Sequence, residues 1–166
     1  WKVEGAFSIV LMTEDRVVAV RDPRGFRPLW AGQIGSAVGV ATEDTALRLV
    51  GASELRELQP GEMLILDSSG PTVVHPLKRR AISQCAIEAT TLAAREATVF
   101  GIPVYPLRFQ VGERLAAEAP VRADVVLGLP GSSLPAALGY AKATGVPFHA
   151  AIERTPWSDP LAPIPS

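Results

Sequence analysis

Cysteine is nearly absent from this chain: one residue, Cys85, in 166. A single thiol cannot close an internal disulfide or hold a metal by itself, so a reducing, cytoplasmic compartment is expected. An excess of either charge is also missing. Lys and Arg number 16 against 17 Asp and Glu, a formal net charge of −1. That balance argues against nucleic acid or an anionic membrane as partner, since both call for a basic stripe. The two histidines, His75 and His149, lie far apart with no second His or Cys at ligand spacing, so both are expected at the surface or satisfied in a core. No run is long enough to cross a bilayer. The longest uncharged stretch, Val125 to Ala141, is broken by Gly128, Pro130, Gly131 and Pro135 and falls short of the ~20 residues a spanning helix needs. Trp1-Lys2-Val3-Glu4 has neither an initiator Met nor an apolar signal core, as expected of a processed chain or a fragment. What is present is globular material. Hydrophobic residues make up 48% and charged residues 20%, enough to build one domain or parts of two.

The first half reads as strands. Ala6 to Met12 and Val17 to Val20 form a hairpin over Thr13-Glu14-Asp15. Asp22-Pro23-Arg24-Gly25 is a turn, with Asp22 and Arg27 set for an Asx-turn and a structural salt bridge. Leu29 to Gln33 and Ala37 to Ala41 form a second hairpin broken at Gly35-Ser36. Thr42-Glu43-Asp44 offers a cap for a short helix, Thr45 to Val50, closed by Gly51. Leu55 to Leu58 and Glu62 to Asp67 are strands around Pro60-Gly61. Lys78-Arg79-Arg80 reads as a solvated turn, and Ile82 to Val99 has no clear period. Gly101 to Pro106 is a break with two prolines. Beyond it Leu107, Val111, Leu115 and Ala116 repeat at helical spacing up to Pro120. Asp124 to Leu129, Ser133 to Thr144 and Val146 to Ile152 read as strand, helix and strand, a βαβ unit with parallel strands. The expected fold class is α+β, divided into 1–80, a connector 81–106, the βαβ part 107–152 and a proline-rich tail 153–166.

The best local chemistry lies at Gly128-Leu129-Pro130-Gly131-Ser132-Ser133, where a strand's carboxyl end opens a helix. A helix start offers free N–H groups and partial positive charge, so Gly131, Ser132 and Ser133 are the candidate phosphate-binding residues, against the plainer reading of a turn with Ser133 as N-cap. The stretch matches neither common glycine-rich nucleotide motif and carries no Lys. A serine hydrolase using Ser132 or Ser133 with His149 would need Gly where Pro135 stands. Cys85 reads most simply as a small buried residue.

Several motifs carry a family resemblance. Glu4-Gly5-Ala6-Phe7-Ser8, the run from Asp22 to Leu29, Ala41-Thr42-Glu43, Gly51-Ala52 and Pro60-Gly61-Glu62-Met63 come in family order. Asp124-Val125-Val126, Pro130, Ala136-Ala137, Gly139-Tyr140-Ala141 and Gly145-Val146-Pro147 continue it. The chain resembles the glutamine phosphoribosylpyrophosphate amidotransferases through about Ile152. The resemblance implies an N-terminal-nucleophile hydrolase half that frees ammonia from glutamine, and a Mg²⁺-using phosphoribosyltransferase half that makes phosphoribosylamine at the opening of purine synthesis. Residues 1 to about 80 resemble the second half of the glutaminase domain, and those from about 107 the start of the transferase domain.

The chain also departs from the family pattern. The family nucleophile is a cysteine at the mature N-terminus, whereas residue 1 here is Trp1, without a thiol. At Thr91 to Ala97, Ala94 and Glu96 stand where the family has Arg and Asp. Gly131 replaces a family Asp, and Pro156-Trp157-Ser158-Asp159-Pro160 replaces a basic flexible loop. The acidic phosphoribosyl-binding loop would fall beyond Ser166. Cys85 aligns with one ligand of the 4Fe-4S cluster of iron–sulfur members, without the three others such a cluster needs. No catalytic residue and no metal or cofactor site is therefore expected within this chain. Three readings follow: a fragment or degenerate family member silent alone, a phosphate-binding or regulatory module, or a half-enzyme completed in trans. The last would pair with a protein partner, or with itself, through exposed sheet edges.

Overall fold

The computed structural model describes residues 3–153. The proline-rich tail and the Pro156 to Pro160 segment lie outside the described residues, as does Trp1. The chain divides into two compact units, Trp1–Val104 and Tyr105–Ser166.

The first unit is built on two antiparallel sheets. β1 (Ser8–Met12), β2 (Arg16–Arg21), β6 (Met63–Asp67) and β7 (Gly70–Val74) make one, in the order β1-β2-β6-β7. β3 (Trp30–Ile34), β4 (Ala37–Ala41) and β5 (Ser53–Glu57) make the other, in the order β4-β3-β5. Both expected hairpins form, with registers Val10↔Ala19 and Gly32↔Gly39. β7 follows β6 over a tight turn and went unassigned in the sequence. The sheets meet through Ala19, Ala31 and Leu64, with Leu29 and Leu58 closing the core and Val38, Val40 and Leu66 packed at its rim. Val38 and Val40 on β4, and Leu64 and Leu66 on β6, are two residues apart and so share the face that each strand turns to this contact.

α1 (Asp44–Leu49) packs against β3, β4 and β5. Glu43 occupies its N-cap position, yet neither Glu43 nor Asp44 caps the helix with its side chain. The expected cap is corrected: both carboxylates reach across the chain. Glu43 Oε2 accepts from Ala94 N–H at 3.0 Å, and Asp44 Oδ1 accepts from Thr98 N–H at 2.9 Å. The stretch from Ile82 to Val99, which showed no clear period, is held in part by such contacts. Arg80, Ser83 and Cys85 donate backbone N–H groups to Pro23, Arg24 and Phe26 carbonyls. A π-helical turn covers Glu88–Leu92. β8 (Thr98–Val99) and β9 (Ile102–Pro103) then form a minimal hairpin through Phe100-Gly101, both with positive φ, at 55° and 78°.

In the second unit, α2 (Val104–Glu118) starts three residues before the periodic pattern, with Pro106 tolerated in its first turn. Its apolar stripe is also corrected. Val111 and Leu115 are exposed, while Val104, Arg108, Gly112 and Ala116, spaced by four, are buried. α3 (Leu134–Thr144) ends at Gly145, and β10 (Val126–Leu127) pairs in parallel with β11 (Phe148–His149). The expected strands Asp124 to Leu129 and Val146 to Ile152 contract to these two-residue segments. Gly112 and Gly139 let α2 and α3 approach backbone to backbone. A Cβ on Gly112 would overlap the Ala136 carbonyl, and one on Gly139 would overlap that of Phe109. Tyr140 on α3 fastens the connection after α2: its hydroxyl donates to Ala119 O at 3.2 Å and accepts from Val121 N–H at 3.0 Å.

Candidate functional site

The three candidate residues Gly131, Ser132 and Ser133 lie together between β10 and α3, at the carboxyl end of the parallel pair. That edge is the usual ligand side of an α/β unit. Gly128 is buried where β10 ends, and a Cβ there would press on Leu134, Ala137 and Phe148. The turn then swings outward. Gly131 has φ +112°, a conformation that strains any residue with a side chain, and open space where a Cβ would sit. The aspartate that the resemblance places here would need a different backbone.

Ser133 stands at the N-cap position of α3, but its side chain does not cap. Its hydroxyl donates to Leu129 O at 2.7 Å and fastens the turn instead. Pro135, in the first turn and fully buried, has no N–H to offer. The donors at this helix start are therefore the backbone N–H groups of the turn, reinforced by the helix dipole and by no side-chain cation within 131–133. Such a turn can hold an anion and has no group for acid–base chemistry. His149 pairs in register with Leu127 on the neighbouring strand and is exposed. The serine-hydrolase reading gains nothing, since the Ser133 hydroxyl is engaged by the backbone.

Buried charge is concentrated in the first unit. Asp22, fully buried, accepts from Arg24 N–H at 2.8 Å and Phe26 N–H at 3.0 Å, the expected Asx-type turn. Its salt bridge to Arg27 does not form; Arg27 Nε pairs with buried Glu88 at 2.7 Å. Arg21 is 3% exposed, donates to the carbonyls of Gly25, Arg27 and Leu58, and pairs with Glu57 at 2.9 Å. Burial lowers the pKa of this guanidinium and raises that of the Glu57 carboxyl, each countered by the other's charge. Arg21 also lies 5.9 Å from the Phe100 ring centre, which holds the strained Phe100-Gly101 turn. These groups are spoken for structurally. Sequence reading missed the Arg21–Glu57 and Arg27–Glu88 pairs because the partners in each are far apart in the chain.

Cys85 is a half-buried free thiol whose backbone N–H bonds Phe26 O. Among the described residues no three His, Cys, Asp or Glu side chains gather where they could hold a metal ion. Cys85 alone does not fit a four-thiolate cluster. No helix among the described residues is long and apolar enough to cross a membrane.

No family model matches the chain. Curated relatives do. It is 44% identical over 154 residues to the chloroplastic amidophosphoribosyltransferase of Glycine max, covering 92% of this chain and 27% of that protein. It is 41% identical over 147 residues to the amidophosphoribosyltransferase of Bacillus subtilis, covering 89% and 31%. Among solved structures, the glutamine phosphoribosylpyrophosphate amidotransferase of B. subtilis complexed with ADP and GMP is similar with TM-score 0.89 and 38% identity. That match covers 98% of this chain and 36% of the other. The chain thus spans about a third of the length of the relatives it matches. With its mixed α+β architecture in common with theirs, it belongs to the amidophosphoribosyltransferase family.

Proposed function

We propose that this chain is the part of an amidophosphoribosyltransferase that joins the end of the glutaminase half to the start of the transferase half. The parent reaction takes glutamine and phosphoribosyl pyrophosphate to phosphoribosylamine, in the cytoplasm. Within it, Gly131, Ser132 and Ser133 would contact phosphate of the sugar substrate. The observation that carries this is the turn itself: a Gly at φ +112° between the carboxyl end of β10 and the start of α3, where helix N–H groups lack intrahelical partners. A bound anion would be held weakly, because a helix start contributes only ~0.3–1 kcal/mol toward an exposed charge.

The glutaminase step lies outside what these 166 residues do alone. Hydrolysis of an amide by this route needs an activated thiolate with a base beside it. Cys85 is internal, and its position is fixed by its backbone bond to Phe26. Glutamate release by the purified 166-residue chain is expected at background, unchanged in Cys85→Ala. Release above background that vanishes in Cys85→Ala would overturn this reading.

A further inference from the structure

The basic triplet Lys78-Arg79-Arg80 sits on a pinned backbone. Beyond β7 the chain runs through His75 and Pro76 toward it. Gly61, at φ +81°, lets the Leu77 carbonyl come so close that a Cβ on Gly61 would lie 2.9 Å from it. Arg80 N–H then donates to Pro23 O at 3.0 Å, and Ser83 N–H to Arg24 O at 3.1 Å. The three basic side chains line an open cleft of about 470 Å³, walled by Pro23, Pro76 and Leu77. Among the described residues the one acid lining it is Glu4, whose Oε1 lies 3.4 Å from Arg80 Nη2. That contact is long and the Glu4 side chain is 81% exposed, so the pair is weak and replaceable. Lys78 and Arg79 are exposed and have no acidic partner among the described residues.

We propose that this cleft is a docking site for an acidic, extended polypeptide segment, with Glu4 standing in for one of its carboxylates. The chemistry of the occupant follows from what the cleft already holds: a carboxylate on Arg80, and two further cations beside it without one. Arginine forks match carboxylate geometry and can bind it through two parallel hydrogen bonds. An extended segment advances about 3.3 Å per residue, so a run of acids reaches all three cations, whereas a small anion reaches one or two. Contacts linked in one segment then add at high effective concentration. The inference rests neither on the family reading nor on the 131–133 turn.

The test titrates the ¹⁵N-labelled 166-residue chain with hexaglutamate at fixed ionic strength and reads individual amides by NMR. Saturable shifts are expected at Glu4 and from Leu77 to Ala81, with affinity falling as salt rises. The double variant Lys78→Glu, Arg79→Glu breaks no ion pair among the described residues, so it should fold as before and lose affinity about tenfold. Glu4→Gln frees Arg80 and should tighten binding about twofold. Glu14→Gln, at an exposed acid between β1 and β2, makes the same change in net charge and should leave the affinity as it was. That contrast separates a seat for a carboxylate from general attraction between opposite charges. The proposal is overturned by an absence of saturable shifts, by shifts spread over basic residues elsewhere, or by an affinity indifferent to the double variant or to Glu4→Gln. It is also overturned if inorganic pyrophosphate or single-stranded RNA, at the same concentration, shifts these amides as strongly. None of these results touches the reading of the 131–133 turn, which fails or stands on its own anion titration.

Discussion

Asp44 shows how one buried carboxylate can tie distant parts of a chain. It is 1% exposed, accepts from Thr98 N–H at 2.9 Å, and lies 3.2 Å from Arg48 Nε. The local sequence, an acid before a short helix, correctly places α1 and misassigns the acid's task, because the partner is 54 residues away. Asp22 was legible for the opposite reason: its partners are two and four residues on, within the same turn. Asp44→Ala leaves the half-buried Thr98 N–H without this partner and should cost about 1 kcal/mol or more, measured by chemical denaturation. Asp44→Asn keeps an acceptor and should cost less. A second residue-scale expectation concerns Asp15, in the turn that joins β1 to β2. The Arg16 side chain and then the Thr13 hydroxyl bond its carboxylate, lowering its pKa to about 2. The folded pKa lies below the ordinary value of 3.8, so any contribution to stability is present above 3.8 and lost as pH falls toward 2. The group is fully exposed, so the effect is screened by salt. An NMR titration of the Asp15 carboxyl should show a midpoint near 2 at low salt, moving up toward 3.8 in Arg16→Gln.

At the scale of elements, the hairpins were readable because short apolar runs and the turn residues between them are local, whereas helix packing was not. In α2 the periodic set Leu107, Val111, Leu115 and Ala116 contributes Ala116 to the buried face, which otherwise runs through Val104, Arg108 and Gly112, while Val111 and Leu115 are exposed. Small residues win here because α2 and α3 cross at Gly112 and Gly139, where each backbone occupies the space of the other's missing side chain. Gly139→Ala must push the Phe109 carbonyl away and should cost about 1–3 kcal/mol, seen as earlier thermal unfolding of the second unit. An unchanged transition would mean that the crossing is looser than described. β10 and β11 were over-read for a related reason. A ladder extends only as far as its partner, and each has one two-residue partner among the described residues.

At the scale of the whole molecule, a buried-charge scaffold in the first unit and the proposed anion-binding turn in the second are separate features of the chain. The first unit holds its connector by carboxylates from α1 and by the Arg27–Glu88 pair, and the second presents Gly131, Ser132 and Ser133 at the start of α3. The turn's place was legible from its glycine and serines between strand and helix. Its detail was not: the Ser133 hydroxyl is committed to Leu129 O, and Pro135 withholds a donor. The most direct test is a titration of the ¹⁵N-labelled chain with inorganic pyrophosphate, read at individual amides. The account predicts saturable shifts confined to Gly131, Ser132, Ser133 and the first turn of α3, with millimolar affinity, lost in Gly131→Val. Shifts centred elsewhere, or none at concentrations well above millimolar, would contradict it.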